Sequence, residues 1–546
     1  MSFNGFFNSQ AKTVSSAAGI LAVSFLISRL LGVVRNWLLA RNFGAGSELD
    51  VYFAVFRIPD FIYQILISGG IIVAFLPLFS EFFSRDKEAA WRFTSNVLNV
   101  FLFFLVLLSL FLFIFTPGLI KLITPGFTDS QLKEAVFLSR LMFLSPILFG
   151  LSSIFSGVLQ YFNRFLIYSL TPVLYNLGII LGILFLAPKF GVMGIIIGVL
   201  LGAFLHLAIQ IPSAISCGFR YQKIFNFKEP GLKKVFLLML PRTLGVAGGQ
   251  INLIVMTAIA SVLGAGSISI FALTNDLQNV PIGIIGVSFA TALFAPLSRR
   301  WANGEKEEFL KDFSSGFRQV AYIIFPIVVL IFILRNQIVE IVLRHGEFSQ
   351  VSAQLVSASL GLFCFSIWAI SFVPLLSRVF FSLQDTRTPT AVVFSAIILN
   401  IILSFYFIGI LSSAGFLHNL LQNWFFLKNI GDIRVLGLPL AFTLSGIFQF
   451  VLLMVFLYKK IGDFRLKEIG SSALKIIPAA FLMGTVSFLS LPLASSFLSD
   501  SFWSLLLAMF VAVLVGVPVY FFTTSLFKSP EAKAIKLKII SRFIHG

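Results

Sequence analysis

The sequence predicts an all-α polytopic membrane protein, on three observations. Hydrophobic residues make up 58% of the chain and charged ones only 11%, a balance that a water-soluble domain of this length does not sustain. Apolar runs of about twenty residues recur along the whole chain, each able to cross ~30 Å of hydrocarbon as a helix. Lys and Arg gather in alternate loops, the asymmetry that orients membrane proteins.

Read with their breaks, the runs give about 14 transmembrane helices. The first six are expected over 15–39, 51–80, 93–116, 136–160, 166–187 and 190–213. The next six are expected over 235–263, 268–297, 317–337, 355–382, 389–412 and 434–458, and the last two over 471–492 and 501–525. With the N-terminus in the cytoplasm, most of the forty Lys and Arg fall inside, among them Lys233, Lys234, Arg299, Arg300, Lys459 and Lys460. Both termini are therefore expected in the cytoplasm, and the net charge of +18 reports orientation rather than a nucleic-acid partner. The basic tail with Lys528, Lys533, Lys536, Lys538 and Arg542 reads either as an amphipathic stretch on anionic lipid or as a solvated tail. The Phe- and Trp-rich stretch 411–433 is expected to lie at the interface rather than span.

The N-terminus carries one lysine, Lys12, and no small-residue cleavage site, so no removable signal peptide is expected. Cys217 and Cys364 imply no disulfide framework, and the four histidines lack metal-ligand spacing. No metal and no cofactor are expected. No phosphate-binding glycine loop, paired metal histidines or nucleophile elbow occurs, so the chain does not read as an enzyme.

Two stretches repeat. FGAGSELDVYFAVF at 43–56 resembles LGAGSISIFALT at 263–274; Gly44 pairs with Gly264 and Pro77 with Pro296, at offsets of 220 and 219. Ser156 and Ser377 add a third pair at 221. The offset equals six helices, and an even number preserves orientation, so the repeats are parallel. The domains are then an N-lobe at 1–230, a C-lobe at 231–465, two appended helices at 466–527 and a basic tail at 528–546. In such folds the substrate site lies between lobes near the midplane. Gly178 and Gly182 on helix 5, with Gly194, Gly198 and Gly202 on helix 6, read as packing residues.

Polar groups inside spans are the site candidates, because an ionisable residue in hydrocarbon is costly and usually serves a function. Helix 1 carries Arg29 and Arg35. Arg29 lies ~21 Å into the span, too deep to snorkel readily. The two are about 120° apart on a straight helix, and Gly32 between them offers a bend. Helix 2 carries Asp50, Arg57, Asp60, Gln64 and Ser68, which at 100° per residue fall within about 80°. Such a stripe lines a cavity, unless Asp50 and Arg57 pair to lock helices together. Arg242 beside Pro241 reads equally as ligand or interfacial anchor. Asn275, Asp276, Gln278 and Asn279 cluster ahead of Pro281, as in a discontinuous, functional helix or an interhelical hydrogen-bond cluster. Inward-facing arginines suggest an anionic substrate.

The run SRLLGVVRNWLLARNFGAGSELDVYFAVFRIPDF at 28–61, followed by AFLPLFSEF at 74–82, resembles the MurJ/MviN lipid II flippases, within the multidrug/oligosaccharidyl-lipid/polysaccharide exporter superfamily. FNRFLIYSLTPVLYN at 162–176, LRHGEFS at 343–349 and SLQDTRTP at 382–389 agree with it. The resemblance implies two six-helix lobes, with helices 13 and 14 forming a groove for a lipid tail. It implies lipid II, an undecaprenyl diphosphate-linked muropeptide, as substrate, with Arg29, Arg35, Ser28 and Asp50 at matching positions. It places the chain in a bacterial plasma (inner) membrane, among membrane lipids and other cell-wall synthesis proteins as partners. The chain departs from the family pattern at Tyr63-Gln64, Ser68 and Asn275-Asp276, where the family carries further charges, and helices 7 and 11 lack a carboxylate for a sodium site. The alternatives are a flippase for another polyprenyl-linked glycan and a multidrug antiporter of the same superfamily.

Overall fold

A chain in hydrocarbon must satisfy its backbone internally, and this one does so with helices alone among the described residues. The computed structural model describes residues 14–495 and 502–533, without the side chains of 14–18, 66–69, 73, 230, 240–246 and 493–495. The long helices are α1 (Val14–Phe43), α2 (47–85), α3 (Lys87–Ile123), α4 (Asp129–Tyr161), α5 (Phe165–Phe190), α6 (Val192–Ser216) and α7 (Pro230–Ser261). There follow α8 (Ser267–Ala302), α9 (Lys306–Val342), α10 (Gln350–Ser382), α11 (Arg387–Leu411), α12 (Gly437–Ile461), α13 (Leu466–Ser495) and α14 (Phe502–Leu526).

Twelve of these are long and apolar enough to cross a membrane. The other two are α2, which carries the charged stripe, and α7, whose described apolar stretch is Ala247–Ser261. Several helices outrun the expected limits. α9 begins at Lys306 rather than 317, because its charged first turns continue the helix, with Glu307 and Glu308 favourably placed at its N-terminus. Within 411–433, once α11 has ended at Leu411, only Phe416–Trp424 is helical. Lys536, Lys538 and Arg542 lie outside the described residues.

The chain forms two compact units, the first of residues 1–269 with 345–348, the second of 270–344 with 349 onward. In the first, α5 and α6 meet backbone to backbone. A Cβ on Gly178 would stand 2.3 Å from Gly202 Cα, and one on Gly182 would stand 2.6 Å from Gly198 Cα. The glycine stripe is therefore packing, as its spacing predicts. Beside it an aromatic core gathers Phe75, Phe79, Trp91 and Phe93, with Phe75 and Phe93 stacked at 5.7 Å. α7 packs here too, Met239 filling the space beside Gly70. The repeat groups helices by likeness and the units group them by contact, so α7 counts with the second copy in one sense and the first unit in the other.

In the second unit Phe317 of α9 stacks on Phe372 of α10 at 4.0 Å. α14 is held to α9 by Tyr520 Oη donating to Tyr322 O at 2.7 Å and by the Tyr322–Thr524 hydroxyl pair at 2.9 Å. Beyond α14, Glu531 is 6% exposed and pairs with Arg318 at 3.3 Å.

The repeat extends to backbone detail. A π-helical segment interrupts α2 at Tyr63–Ile71 and α8 at Ile282–Val287, starting 219 residues apart. Asn163 and Gln384, 221 apart, are both left-handed, with φ of 56° and 58°.

Candidate functional site

α1 is an unbroken α-helix through Gly32. Ser24, Ser28 and Arg35 recur at four and seven residues, which puts them on one face, and that face meets α5. Ser169 Oγ donates to Ser24 Oγ at 2.9 Å, and Asn176 Nδ2 donates to Ser28 Oγ at 3.2 Å. Arg35 spans Asn36 and Asn176: Nε and Nη2 donate to Asn36 Oδ1 at 3.1 and 3.0 Å, and Nη1 to Asn176 Oδ1 at 3.5 Å. Asn176, 8% exposed, thus ties Ser28 and Arg35 together. It was not among the predicted site residues, although it closes the 162–176 motif and is an amide inside an apolar span.

Arg29 differs from Arg35. It is exposed, amid exposed Leu26, Ile27 and Leu30, and has no hydrogen-bond or ion-pair partner among the described residues. The ~120° between the two arginines thus separates one guanidinium held by amides from one left available.

Asp50 does not pair with Arg57. It is 2% exposed, and its carboxylate receives the start of α8: Gly266 N at 2.6 Å, Ser269 N at 2.8 Å and Ser269 Oγ at 2.6 Å. A carboxylate suits this place, since helix N-termini present unsatisfied N–H groups and a positive dipole end. The approach is close because Gly266, with φ of +88°, lies against Ala45: a Cβ there would stand 2.5 Å from Ala45 O. The turn 345–348 packs on the end of α1, Glu347 N donating to Arg41 O at 2.9 Å. Arg57 instead reaches α7, its Nε donating to Thr257 Oγ1 at 2.7 Å.

The predicted stripe on α2 holds at α-helical spacing only as far as Ile62. The π segment has more residues per turn, so the 100° spacing does not carry through Gln64 and Ser68. Gln64 is half-buried within that segment, and the side chain of Ser68 lies outside the described residues. So does that of Arg242, whose backbone continues α7.

Asn275 and Asp276 stand in the second unit, both half-buried. Gln278 is 1% exposed and donates to Asn275 Oδ1 at 3.0 Å, while its own Oε1 has no partner among the described residues. α8 is not discontinuous after Pro281, as the polar cluster suggested. It passes directly into the π segment, which absorbs the proline without unwinding.

Chemically, the first unit presents guanidiniums on α1 and α2, held by amides and hydroxyls at Arg35 and Arg57. Guanidinium groups bind phosphate oxygens through charge-assisted hydrogen bonds.

A duplicated, multi-span helical bundle with intramembrane arginines defines a membrane transporter. The comparisons give the branch. The family model described as lipid II flippase MurJ matches residues 39–508. "Probable lipid II flippase MurJ" of Buchnera aphidicola subsp. Acyrthosiphon pisum (strain APS) is 30% identical over 395 residues, covering 71% of this chain and 77% of that protein. "Lipid II flippase MurJ" of Burkholderia cenocepacia is 26% identical over 399 residues, 71% of this chain and 77% of that one. Among solved structures, a lipid II flippase MurJ in an inward closed conformation aligns with TM-score 0.74 at 24% identity, over 93% of this chain and 98% of that one. An inward-facing multidrug transporter of the MATE family aligns with TM-score 0.66 at 15% identity, over 82% and 99%. The chain belongs to the lipid II flippase MurJ family. The match begins at residue 39, downstream of Ser28, Arg29 and Arg35.

Proposed function

We propose that this protein moves lipid II from the cytoplasmic to the outer leaflet of the bacterial inner membrane by alternating access, as a non-catalytic carrier with both termini inside. The observation that carries the reading is Arg29. In a chain whose family match spans 39–508, it is an exposed guanidinium deep in a span with no partner among the described residues. A charge so placed needs water or an anionic ligand.

In this reading Arg29 is the first contact of the diphosphate and Arg35 a second, aimed by Asn176 and Ser28. Arg57, Gln64, Arg242, Asn275 and Asp276 are further candidates along the headgroup's path. Charge-assisted guanidinium–phosphate bonds offset the desolvation of the diphosphate. The sugar and peptide travel with it while the polyprenyl tail stays in the bilayer, against the appended α13 and α14. An inside-negative potential assists export of the anion at ~2.3 kcal/mol per charge per 100 mV. Fourteen crossings, with α2 and α7 counted among them, complete the arrangement; other cell-wall synthesis proteins are candidate partners. The test is Arg29→Ala and Arg35→Ala in a strain depleted of its own flippase, with a headgroup-accessibility assay on its membranes. Loss of growth and of outward headgroup transfer is expected; full rescue by both variants rejects the role.

A further inference from the structure

In the second unit α9, α10 and α13, with the short helix Phe416–Trp424, line an apolar groove of about 510 Å³, within the ~300–1,000 Å³ typical of small-molecule sites. Its α13 wall runs from Ile477 to Phe488, a rise of ~16 Å or about half the ~30 Å of a bilayer's hydrocarbon. The groove is therefore as deep as one leaflet. At its Phe332 end it meets an aromatic rim, Phe332 against Phe365 at 5.7 Å and Phe365 against Trp424 at 5.8 Å.

Arg335 stands against that rim. Its guanidinium lies 4.8 Å from the Phe332 ring centre and 5.4 Å from that of Phe425. Nη1 donates to Phe332 O at 2.6 Å, while Nε is buried without a partner among the described residues. No carboxylate among the described residues pairs with it. α10 makes room for its stem with Gly361, where a Cβ would stand 3.1 Å from Arg335 Cδ.

We propose that this groove holds one acyl chain of an anionic glycerophospholipid whose phosphate is received by Arg335. An uncompensated cation at one end of a leaflet-deep apolar groove is complementary to an amphiphile with a hydrocarbon chain and an anionic head. The cation is partly desolvated against aromatic faces, which strengthens its attraction to phosphate. A zwitterionic head brings its own cation beside the guanidinium and is disfavoured.

The full-length protein in detergent is titrated with phosphatidylglycerol, with phosphatidylcholine of the same chains and with undecaprenyl phosphate, and binding is read by native mass spectrometry. The wild type is expected to prefer phosphatidylglycerol over phosphatidylcholine by roughly tenfold, the scale of one charge-assisted hydrogen bond. Arg335→Gln loses that preference, Arg335→Lys keeps it, and Ala480→Phe, which fills the groove, loses both phospholipids. Phosphatidylglycerol with a photoactivatable chain is expected to crosslink the wild type at Phe365 or Phe481, a readout that depends on no variant folding. The proposal is overturned if Arg335→Gln keeps the preference, if crosslinks fall elsewhere, or if undecaprenyl phosphate displaces phosphatidylglycerol from these residues, which would make the groove a polyprenyl-tail site.

Discussion

Replacing Asp50 with asparagine keeps the shape of the side chain and changes its chemistry. In the native structure two carboxylate oxygens accept three donors, Gly266 N, Ser269 N and Ser269 Oγ, all within 2.8 Å, at a residue 2% exposed. Asparagine offers one acceptor oxygen and turns the other position into an NH2, which then faces a backbone N–H. Hydrogen bonds to a charged group contribute about 1.5–3 kcal/mol against 0.5–1.5 for neutral ones, and a buried donor left unpaired costs about 1–3. The attraction of the carboxylate for the α8 dipole adds a few tenths to 1 kcal/mol. Asp50→Asn should thus destabilise by about 2–4 kcal/mol. Ser269→Ala, which removes only the hydroxyl, should destabilise by about 1 kcal/mol. Thermal unfolding of purified protein in one detergent reads the ranking directly: a drop of several degrees for Asp50→Asn, a smaller one for Ser269→Ala, and a double variant close to Asp50→Asn alone because both act on one contact. The reasoning fails if Asp50→Asn melts with the wild type or if the two variants add in full.

Asn176→Ala should lower transport less than Arg35→Ala, because it leaves the charge and removes only its aim; the headgroup-accessibility assay ranks the two, and equal loss would assign Asn176 a direct role. Gly198→Leu should prevent α5 and α6 from meeting, since even a Cβ there stands 2.6 Å from Gly182 Cα; little folded protein is expected on size exclusion, as overpacking of this kind costs about 1–3 kcal/mol or more. The loop after α10 supplies a pH test. Burial alone would raise Asp385, but hydrogen bonds from Lys460 at 2.5 Å and from Thr388 N and Oγ1 outweigh it and hold the carboxyl at about 2. A depressed carboxyl contributes stability that is present above its ordinary value near 4 and lost as pH falls through about 2. Lys460→Met should therefore lower the melting temperature at pH 7 and shrink the wild type's loss between pH 5 and pH 2; an unchanged acid profile would contradict the assignment.

What the sequence made legible was whatever depends on hydropathy and period. The apolar runs located the helices, the GAGS repeat pointed to paired positions that share backbone detail, and the glycine spacing on α5 and α6 named a real contact. What it hid depends on which residues meet across distance in the chain. Asp50 read as a member of a cavity stripe because a carboxylate in a span has few innocent explanations, yet its partners lie some 220 positions away at another helix's first turn. Asn176 was in view at the end of a motif, but an isolated amide carries no signal until its neighbours on α1 are known. A uniform 100° per residue does not describe the stripe on α2 past Ile62, and nothing in YQILISGGI announces that the helix widens there. Pro281 pointed to a break in α8, and the helix instead takes up the proline by widening.

Those two widened turns carry a consequence of their own. Each widens an otherwise regular coil, so the side chains beyond it face directions that uniform α-helical winding would not give them, while the backbone bonds stay inside the helix. The two copies share the placement although their residues there differ, Tyr63–Ile71 in one and Ile282–Val287 in the other. A chain set in oil, where no exposed amide is tolerated, thus carries the same departure from α-helical winding in both copies of its repeat.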